Sequence, residues 1–475
     1  MTDIKENPFV QASTRRKLLT LIGIYVAALI TRFISTSSFT ILPMAALDVG
    51  GLDIYPLAST ASGLLSICAM PLYGYFGSRN PSLKRPLLLF SLLVGAVVFF
   101  VEACAPNMVV IICANFFYGV VSASIFVVAF SLIRDMYDAK QAGIYLGFIG
   151  TVTSIGMLVG PALAGLLIDG FGWRFAYHVC WPLLLLAVVF IALGAKGGRS
   201  EAQASAQAKT FDLPGLIALV LFLLGLTLSL SLGSSYIPFG SAGNDVLVML
   251  AAASLLVLVL IIRKKRAAAI IPSTVLRDRN TVVLALCSAL STFSTMALTF
   301  FMPAYIINVL HGSALQAGLG TAIYAILGVF ICPFLGRAIA KARTARPVFT
   351  IGTIVRVAVS FILALILSAQ TPVWVIYLMM FIAGFYSAQQ NVTFSTAPQI
   401  QIKSAIRFLS NSVVQTAQNL GSSVGLAIYT MMMATWGIAE GLPRVLILAG
   451  VVAVVALAIG QFLRKVEDES EAEAH

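Results

Sequence analysis

The sequence predicts an all-α integral membrane protein, built as two parallel six-helix bundles with two further helices inserted between them. Three observations lead to this fold class: the composition, fourteen long apolar runs, and an internal repeat. Hydrophobic residues make up 60% of the 475 positions and charged residues only 10%, whereas roughly a quarter of a soluble domain is charged. A soluble fold could not bury so much apolar surface, so we expect the helices to lie in lipid.

Fourteen runs are long and apolar enough to cross a bilayer, which takes about 20 residues per helix. They lie at roughly 18–44, 55–77, 86–104, 108–133, 142–168, 174–195, 213–235, 245–262, 281–310, 314–339, 347–369, 373–398, 405–434 and 443–463. The first run is too long for a cleaved signal peptide, so we expect it to be a retained helix. The loops between the runs are short, and none holds a soluble domain.

The basic residues set the orientation. With the N-terminus inside, the cytoplasmic segments hold 26 of the 30 Lys and Arg residues, as the positive-inside rule requires. Only Arg174 and Arg444 fall outside, and Arg32 and Arg356 lie within spans. An even number of spans then places both termini in the cytoplasm of a multi-pass cell-membrane protein. The same distribution explains the net charge of +12 without a nucleic-acid partner.

An internal repeat divides the chain. Four short motifs recur in the same order at offsets of 262, 265, 265 and 260 residues. The pairs are Pro71–Gly74 with Pro333–Gly336, Gly119 with Gly384, Gly156–Gly160 with Gly421–Gly425, and Leu42-Pro43 with Met302-Pro303. We therefore predict an N-terminal cytoplasmic segment, a first bundle, an inserted helix pair with linkers, a second bundle and an acidic tail at 1–17, 18–195, 196–280, 281–465 and 466–475. Parallel repeats of this kind are typical of secondary transporters, whose substrate site lies near the midplane.

The stretch SIGMLVGPALAG, Ser154 to Gly165, combines small residues near one helical face with a proline. These residues are Gly156, Gly160, Gly165 and Pro161. Small residues let a second helix approach closely in lipid, and proline bends a helix. Beside Gly421 and Gly425, we expect them to form a paired seam where the two bundles meet, acting as hinge and seal.

These motifs resemble a known family. GMLVGPALAG, followed by Gly172-Trp173-Arg174 and Pro182, is similar to the antiporter motif of the fourteen-span drug:proton antiporter branch of the major facilitator superfamily. Phe211-Asp212, Ile271-Pro272 and QNLGSSVGLAI in span thirteen also resemble that branch. The resemblance implies the major facilitator fold, alternating access, and export of an amphipathic organic compound in exchange for protons across a bacterial-type inner membrane.

The chain departs from the family at positions where the family usually carries a charged residue. In the expected gating loop after span two, Ser78 stands in the place of an aspartate; the other members are Gly74, Arg79, Lys84 and Arg85. These basic residues keep the positive charge of the motif but lose its acidic partner. Span four has Asn115 where the family carries a buried arginine. The candidates left for proton coupling are Glu102 and His178, and for both we favour the simpler role of an interfacial residue.

Arg32 is the sharpest candidate for substrate binding. It lies about 21 Å into the membrane from Leu18, where a basic group is costly unless it faces a cavity or a partner. Ser35, Thr36 and Phe39 share its helical face. We expect this face to line the central cavity; the alternative is that Arg32 snorkels outward or pairs with a helix-end carbonyl.

Further polar candidates lie in spans four, twelve and thirteen. They are Asn115, Tyr118, Gln389, Gln390, Gln415 and Gln418. Buried amides in lipid need partners or a wet cavity. We favour the cavity for span twelve, and hold helix–helix hydrogen bonds equally open for span thirteen. Arg356 in span eleven has no polar stripe, so we expect it to be structural or to snorkel.

The sequence offers no nucleophile–base pair, metal-ligand cluster or phosphate-binding glycine loop, so we predict no enzyme, cofactor or metal. The expected partners are a small organic substrate, protons and the bilayer, with no nucleic acid, and we expect a monomer. Two alternatives stay open: an organic-anion facilitator or symporter anchored by Arg32 without proton antiport, and a non-transporting membrane receptor or scaffold.

Overall fold

The computed structural model describes residues 13–51, 56–194, 212–233, 240–265, 269, 272–312 and 314–465, and the regular structure in these ranges is helical. The predicted acidic tail and most of the N-terminal segment lie outside the described residues. The long helices are α1 Thr14–Val49, α2 Pro56–Arg79, α3 Lys84–Ala103, α4 Met108–Met136, α5 Ala139–Phe171, α6 Trp173–Leu193, α7 Leu213–Gly233, α8 Ala242–Lys265, α9 Arg279–Asn308, α10 Ala314–Ala342, α11 Arg346–Ile366 and α12 Val373–Ile400.

A last helical stretch, Ser404–Gly460, breaks at Gly437, whose backbone angles are φ 70° and ψ 170°. We call the part before this break α13 and the part after it α14. Helix α4 contains a π-helical turn at Ile125–Ala129. Such turns insert one extra residue into a helix and often occur near functional sites.

Within the described residues, twelve helices are long and apolar enough to cross a membrane. The protein is therefore a multi-pass, all-helical membrane protein, as predicted. Helices α2 and α13 are absent from the twelve. Both are rich in hydroxyl or amide side chains, such as the run Gln415–Asn419 in α13, so the count of fourteen spans stays a prediction.

Contacts divide the chain into two compact units. Unit 1 comprises Met1–Met136, Val152–Ser273 and Leu426–Met431; unit 2 comprises Tyr137–Thr151, Thr274–Gly425 and Met432–His475. The helix pair α7 and α8, which we predict to be an insertion, belongs to unit 1 by contacts. It packs there on α2, and the Asp212 N–H donates to Tyr75 Oη over 3.4 Å.

The internal repeat extends to packing. A Cβ atom added to Gly119 of α4 would meet the carbonyl oxygen of Ser62 on α2, and one added to Gly384 of α12 would meet that of Tyr324 on α10. Ser62 and Tyr324 are 262 residues apart, the offset that the sequence repeat gives for these two helices. Glycine thus marks the same close helix crossing in each unit.

Candidate functional site

Glu102 in the last turn of α3 is 1% exposed. Asn115 on α4 donates from Nδ2 to Glu102 Oε1 over 2.6 Å. The other carboxyl oxygen, Oε2, is buried and has no hydrogen-bond partner among the described residues. The favoured role of Glu102 as an interfacial anchor is therefore wrong. Its carboxyl group lies inside unit 1 because the neighbouring helices α4 and α6 cover it.

Three aromatic rings lie close together near Glu102 in unit 1. Phe99, one turn earlier on α3, lies 5.5 Å from Tyr118 and 6.3 Å from Tyr177 between ring centroids. All three rings are buried. An ionised carboxylate is costly to bury with a single amide donor in such surroundings. Whether Glu102 is charged therefore depends on whether a proton or a hydrogen-bond donor reaches Oε2.

Tyr118 connects this carboxyl to α1. Its Oη donates to the Thr31 carbonyl oxygen over 2.7 Å, and its phenol lies within electrostatic reach of both Arg32 and Glu102. Three of the predicted binding residues, Arg32, Asn115 and Tyr118, thus meet a predicted proton-coupling residue within unit 1. We call Thr31, Arg32, Glu102, Asn115 and Tyr118 the Glu102 cluster.

The other residues of the predicted polar face on α1 differ in their burial. Thr36 is half-buried, and its hydroxyl bonds Arg32 O at 3.0 Å and lies 3.3 Å from Gly156 O on α5. Ser35 is exposed. The side chain of Phe39 lies outside the described ones. Only part of this face therefore adjoins the Glu102 cluster.

The glycines of the antiporter motif pack α5 on α1. A Cβ added to Gly156 would lie 3.1 Å from Arg32 Cβ, and one added to Gly160 would lie 2.5 Å from Thr36 Oγ1. Gly165 has nothing within 4 Å of such an atom, so it marks no close approach. Helix α5 continues through Pro161 without ending.

The corresponding glycines of α13 pack on α9. A Cβ added to Gly421 would meet the Ala289 backbone, and one added to Gly425 would lie 3.0 Å from Phe293 Cα. The partner helix belongs to unit 1 for Gly156 and Gly160, and to unit 2 for Gly421 and Gly425. Each pair of glycines therefore packs two helices of its own unit together, and a role of these four residues in a seam between the bundles stays a prediction.

Gly172-Trp173-Arg174, at the turn from α5 to α6, forms with Asp48 what we call the Asp48 clamp. Gly172 has φ 84°, which allows the tight turn from α5 to α6. Asp48 Oδ2 accepts from Trp173 Nε1 at 3.0 Å and from Arg174 Nη1 at 2.5 Å. These hydrogen bonds, first that of Trp173 and then that of Arg174, hold the pKa of Asp48 below its ordinary value of 3.8.

Arg356 takes the structural one of the two roles that we expected for it. It is fully buried in unit 2, so the snorkelling role is wrong. Its Nη1 donates to Ser291 O on α9 at 2.9 Å and its Nη2 to Gln390 Oε1 on α12 at 2.8 Å. Its guanidinium carbon lies 4.9 Å from the ring centroid of Tyr386. These partners are all neutral and lie on other helices, so the sequence of α11 alone shows no polar stripe beside Arg356.

The amides of α12 and α13 make helix–helix contacts. Gln390 also accepts from Thr295 Oγ1 at 2.7 Å, and the side chain of Gln389 packs on Gly352 of α11. Gln415 Nε2 donates to Phe394 O at 2.9 Å. For the amides of α12 we expected a cavity, and the structure shows contacts between helices instead. For α13 we held a cavity and helix–helix hydrogen bonds equally open, and Gln415 makes such a hydrogen bond. Gln418 is half-buried.

The predicted gating loop is mostly helical. Gly74, Ser78 and Arg79 belong to the end of α2, and a 3-10 turn leads directly into α3. The side chain of Arg79 lies outside the described ones. Arg85 donates from Nε to Ile191 O at 3.2 Å, which caps the end of α6.

Lys84, at the first position of α3, is buried. Its Nζ lies 2.6 Å from Asp135 Oδ2 on α4 and 2.9 Å from Ser131 Oγ. The expectation that Lys84 has lost its acidic partner is therefore wrong: α4 supplies the acid that the motif itself lacks. Sequence reasoning missed Asp135 because it is 51 positions away.

His178 is exposed on α6, and Trp181 Nε1 donates to its Nδ1 over 3.4 Å. Its neighbours Tyr177 and Cys180 lie within electrostatic reach of Glu102. His178 therefore fits the interfacial role. In the described part of the chain, no group of His, Cys, Asp and Glu residues is arranged to hold a metal ion.

Comparison with known proteins gives one family. The sequence model of the Major Facilitator Superfamily matches residues 24–426, with a second match at 284–474. The chain is 23% identical to Multidrug resistance protein 3 of Bacillus subtilis (strain 168) over 425 residues, which cover 88% of this chain and 79% of that protein. It is 22% identical to Riboflavin transporter RibZ of Clostridioides difficile (strain 630) over 383 residues, 79% of each protein.

A third relative matches over a shorter stretch. Multidrug transporter protein MdtP of Bacillus subtilis (strain 168) is 24% identical over 222 residues, and the chain spans 39% of its length. Among solved structures, the human organic anion transporter MFSD10 (TETRAN) superposes with a TM-score of 0.64 at 12% identity, covering 94% of this chain and 99% of that one. The proton:xylose symporter XylE gives a TM-score of 0.64 at 15% identity, covering 94% of each chain. These two likenesses show the fold.

Proposed function

Because the chain belongs to the Major Facilitator Superfamily, we propose that this membrane transporter exports an amphipathic organic compound by alternating access, in exchange for protons. The observation that carries the proton exchange is the buried Glu102 carboxyl, with one oxygen held by Asn115 and the other open. A group that couples to protons must change its charge within the membrane-embedded part of the protein. Within the Glu102 cluster, Glu102 is the acid.

The amide of Asn115 suits such a change. An Asn N–H can donate to the carbonyl oxygen of a neutral acid as well as, more strongly, to a carboxylate oxygen. Glu102 can therefore gain and lose a proton without losing this hydrogen bond. Asn115 holds the position, and Oε2 takes the proton.

Coupling to substrate follows from the charge of the cluster. With Arg32 charged, the cluster carries a net charge of about +1 when Glu102 is protonated and about 0 when it is ionised. A compound that binds one of these states better than the other shifts the proton equilibrium, and protons shift its binding by the same factor. Two relatives bear multidrug names and one is named for riboflavin, which supports an organic compound as substrate.

Flux in proteoliposomes tests the proposal. Purified protein is reconstituted, and movement of riboflavin and of a fluorescent lipophilic cation is followed with and without an imposed pH gradient. The proposal expects the gradient to drive accumulation of at least one compound, and dissipation of the gradient to stop it. Flux that ignores the gradient would contradict proton exchange.

A second candidate function is an organic-anion facilitator or symporter. The sequence has no Asp or Glu between Asp278 and Glu440, yet this stretch contains the fully buried Arg356. A stretch without acidic side chains does not repel an anion, and Arg32 on α1 is the cation that would hold one. If this candidate is correct, Arg32→Gln abolishes uptake of organic anions; under proton-coupled export it only alters selectivity.

A further inference from the structure

The helix pair α7 and α8 carries an apolar groove of about 420 Å³ on unit 1. Leu213, Ile217 and Leu221 of α7 form one wall and Val257 of α8 the other. These four side chains are 36–50% exposed. Ala218 and Ser254 form the floor and are 4% and 6% exposed. The groove is thus open at its rim and lined almost entirely by carbon.

The groove lies beside a close crossing of the two helices. At Gly225 they are close: a Cβ added there would lie 3.0 Å from Leu247 O and 3.1 Å from Ala251 N. The wall from Leu213 to Leu221 runs about 12 Å along α7 at 1.5 Å per residue, which suits an extended hydrocarbon chain.

A basic cluster lies at the open end of the groove. The last turn of α8 consists of Arg263, Lys264 and Lys265, and Arg263 and Lys264 are exposed. Lys265 Nζ lies 2.7 Å from Oδ1 of the buried Asp212, the residue directly before Leu213. This ion pair ties the basic end of α8 to the start of the apolar wall. Val257 is about 9 Å along α8 from Arg263.

This geometry points to a site for an anionic glycerophospholipid, with one acyl chain in the groove and its phosphate on Arg263 and Lys264. The charges decide between lipids: a basic run directly beyond a membrane helix attracts anionic headgroups of the cytoplasmic leaflet. The predicted orientation places this end of α8 in that leaflet. The site goes beyond the proposed function, because neither Glu102 nor substrate takes part in it.

Native mass spectrometry of the full-length protein tests this site, with phosphatidylglycerol or phosphatidylcholine of identical acyl chains as the probe. We expect wild type to bind phosphatidylglycerol more tightly than phosphatidylcholine. The double substitution Arg263→Gln, Lys264→Gln should weaken phosphatidylglycerol binding about fivefold per basic residue removed. It should weaken phosphatidylcholine binding less, because the net charge of that headgroup is zero.

The matched control removes two exposed basic residues from the end of α10, Arg337→Gln and Lys341→Gln, and should retain the preference for phosphatidylglycerol over phosphatidylcholine.

The groove itself is tested by Ala218→Leu, which fills its floor and should lower occupancy by both lipids. Ile217→Ser, on the exposed wall, makes the same test should the first variant fold poorly. The site is overturned if both double variants lose phosphatidylglycerol equally, if neither does, or if the groove substitutions leave occupancy unchanged.

Discussion

Asn115 donates a hydrogen bond of 2.6 Å to the buried carboxyl of Glu102, and this bond joins α4 to α3 inside unit 1. Asn115 occupies the position where the resembled family carries a buried arginine. An arginine there would hold Glu102 as a carboxylate, since oppositely charged groups stabilise each other's charged form. The amide imposes no charge, and for this reason we propose Glu102 as the group that exchanges a proton.

Asn115→Leu tests the structural side of this contact. Leucine is similar in volume but cannot donate, so a second buried oxygen of Glu102 loses its partner. We expect the free energy of unfolding to fall by about 1–3 kcal/mol, measured by denaturation in detergent. Asn308→Leu is the control, because Asn308 is exposed and bonds only to Ala304 O of its own helix. Equal stability of the two variants would contradict the contact.

Two glycine substitutions separate packing from helix propensity. Gly421→Ala places a methyl group against the Ala289 backbone, so we expect overpacking to cost about 1–3 kcal/mol. Gly165→Ala places it in open space, where alanine should stabilise the helix by about 0.5–1 kcal/mol. Melting temperatures in detergent should therefore move in opposite directions. A loss of stability at Gly165 would restore the wider packing face predicted from the motif.

The Lys84–Asp135 pair is suited to a double-mutant cycle, because its side chains are only 8% and 20% exposed. Lys84→Met should cost up to about 3–5 kcal/mol, since it leaves a largely buried carboxylate without its cation. Adding Asp135→Asn should recover part of that loss. The same cycle on Arg444 and Glu440, which are 45% and 73% exposed, should give a coupling of at most about 0.5 kcal/mol. Equal couplings in the two cycles would mean that burial of the first pair is unimportant.

The Asp48 clamp predicts that the stability of unit 1 depends on pH. The pKa of Asp48 is lowered by hydrogen bonds from Trp173 and Arg174, so the ionised form stabilises the fold. This contribution is complete above the ordinary pKa of 3.8 and is lost as the pH falls through the lowered value.

The measurement is the difference in melting temperature between wild type and Asp48→Asn. It should be constant from neutral pH down to about 5 and should shrink at lower pH. Asp245→Asn, on the exposed first turn of α8, is the control for general effects of charge. If the difference in melting temperature grew below pH 4, protonation of Asp48 would stabilise the fold, which would contradict the clamp.

Much of the fold could be predicted because close helix crossings require small residues, and small residues are visible in a sequence. Gly119 and Gly384 are the clearest examples: their pairing by offset in the repeat matches their equivalent contacts with α2 and α10. The partner helix was harder to predict. Gly156 could face any neighbour from its spacing alone, and the structure places α1 there.

The polar contacts were less predictable, because they depend on how each helix is rotated about its axis. Arg356 has apolar neighbours along its own helix and finds its partners, Ser291 and Gln390, on two others. Glu102 ends an apolar run, which suggests the membrane surface, but it is buried in the structure. One signal could have been used: Glu102 and Asn115 flank the same short loop.

Proton release on addition of substrate tests the central claim most directly. Proteoliposomes containing wild type, Glu102→Gln or the exposed-site control Glu440→Gln are loaded with a pH-sensitive dye, and one transported compound is added. We predict proton movement with wild type and Glu440→Gln, and none with Glu102→Gln, which should still exchange labelled for unlabelled compound. Proton movement that persists in Glu102→Gln would contradict the account.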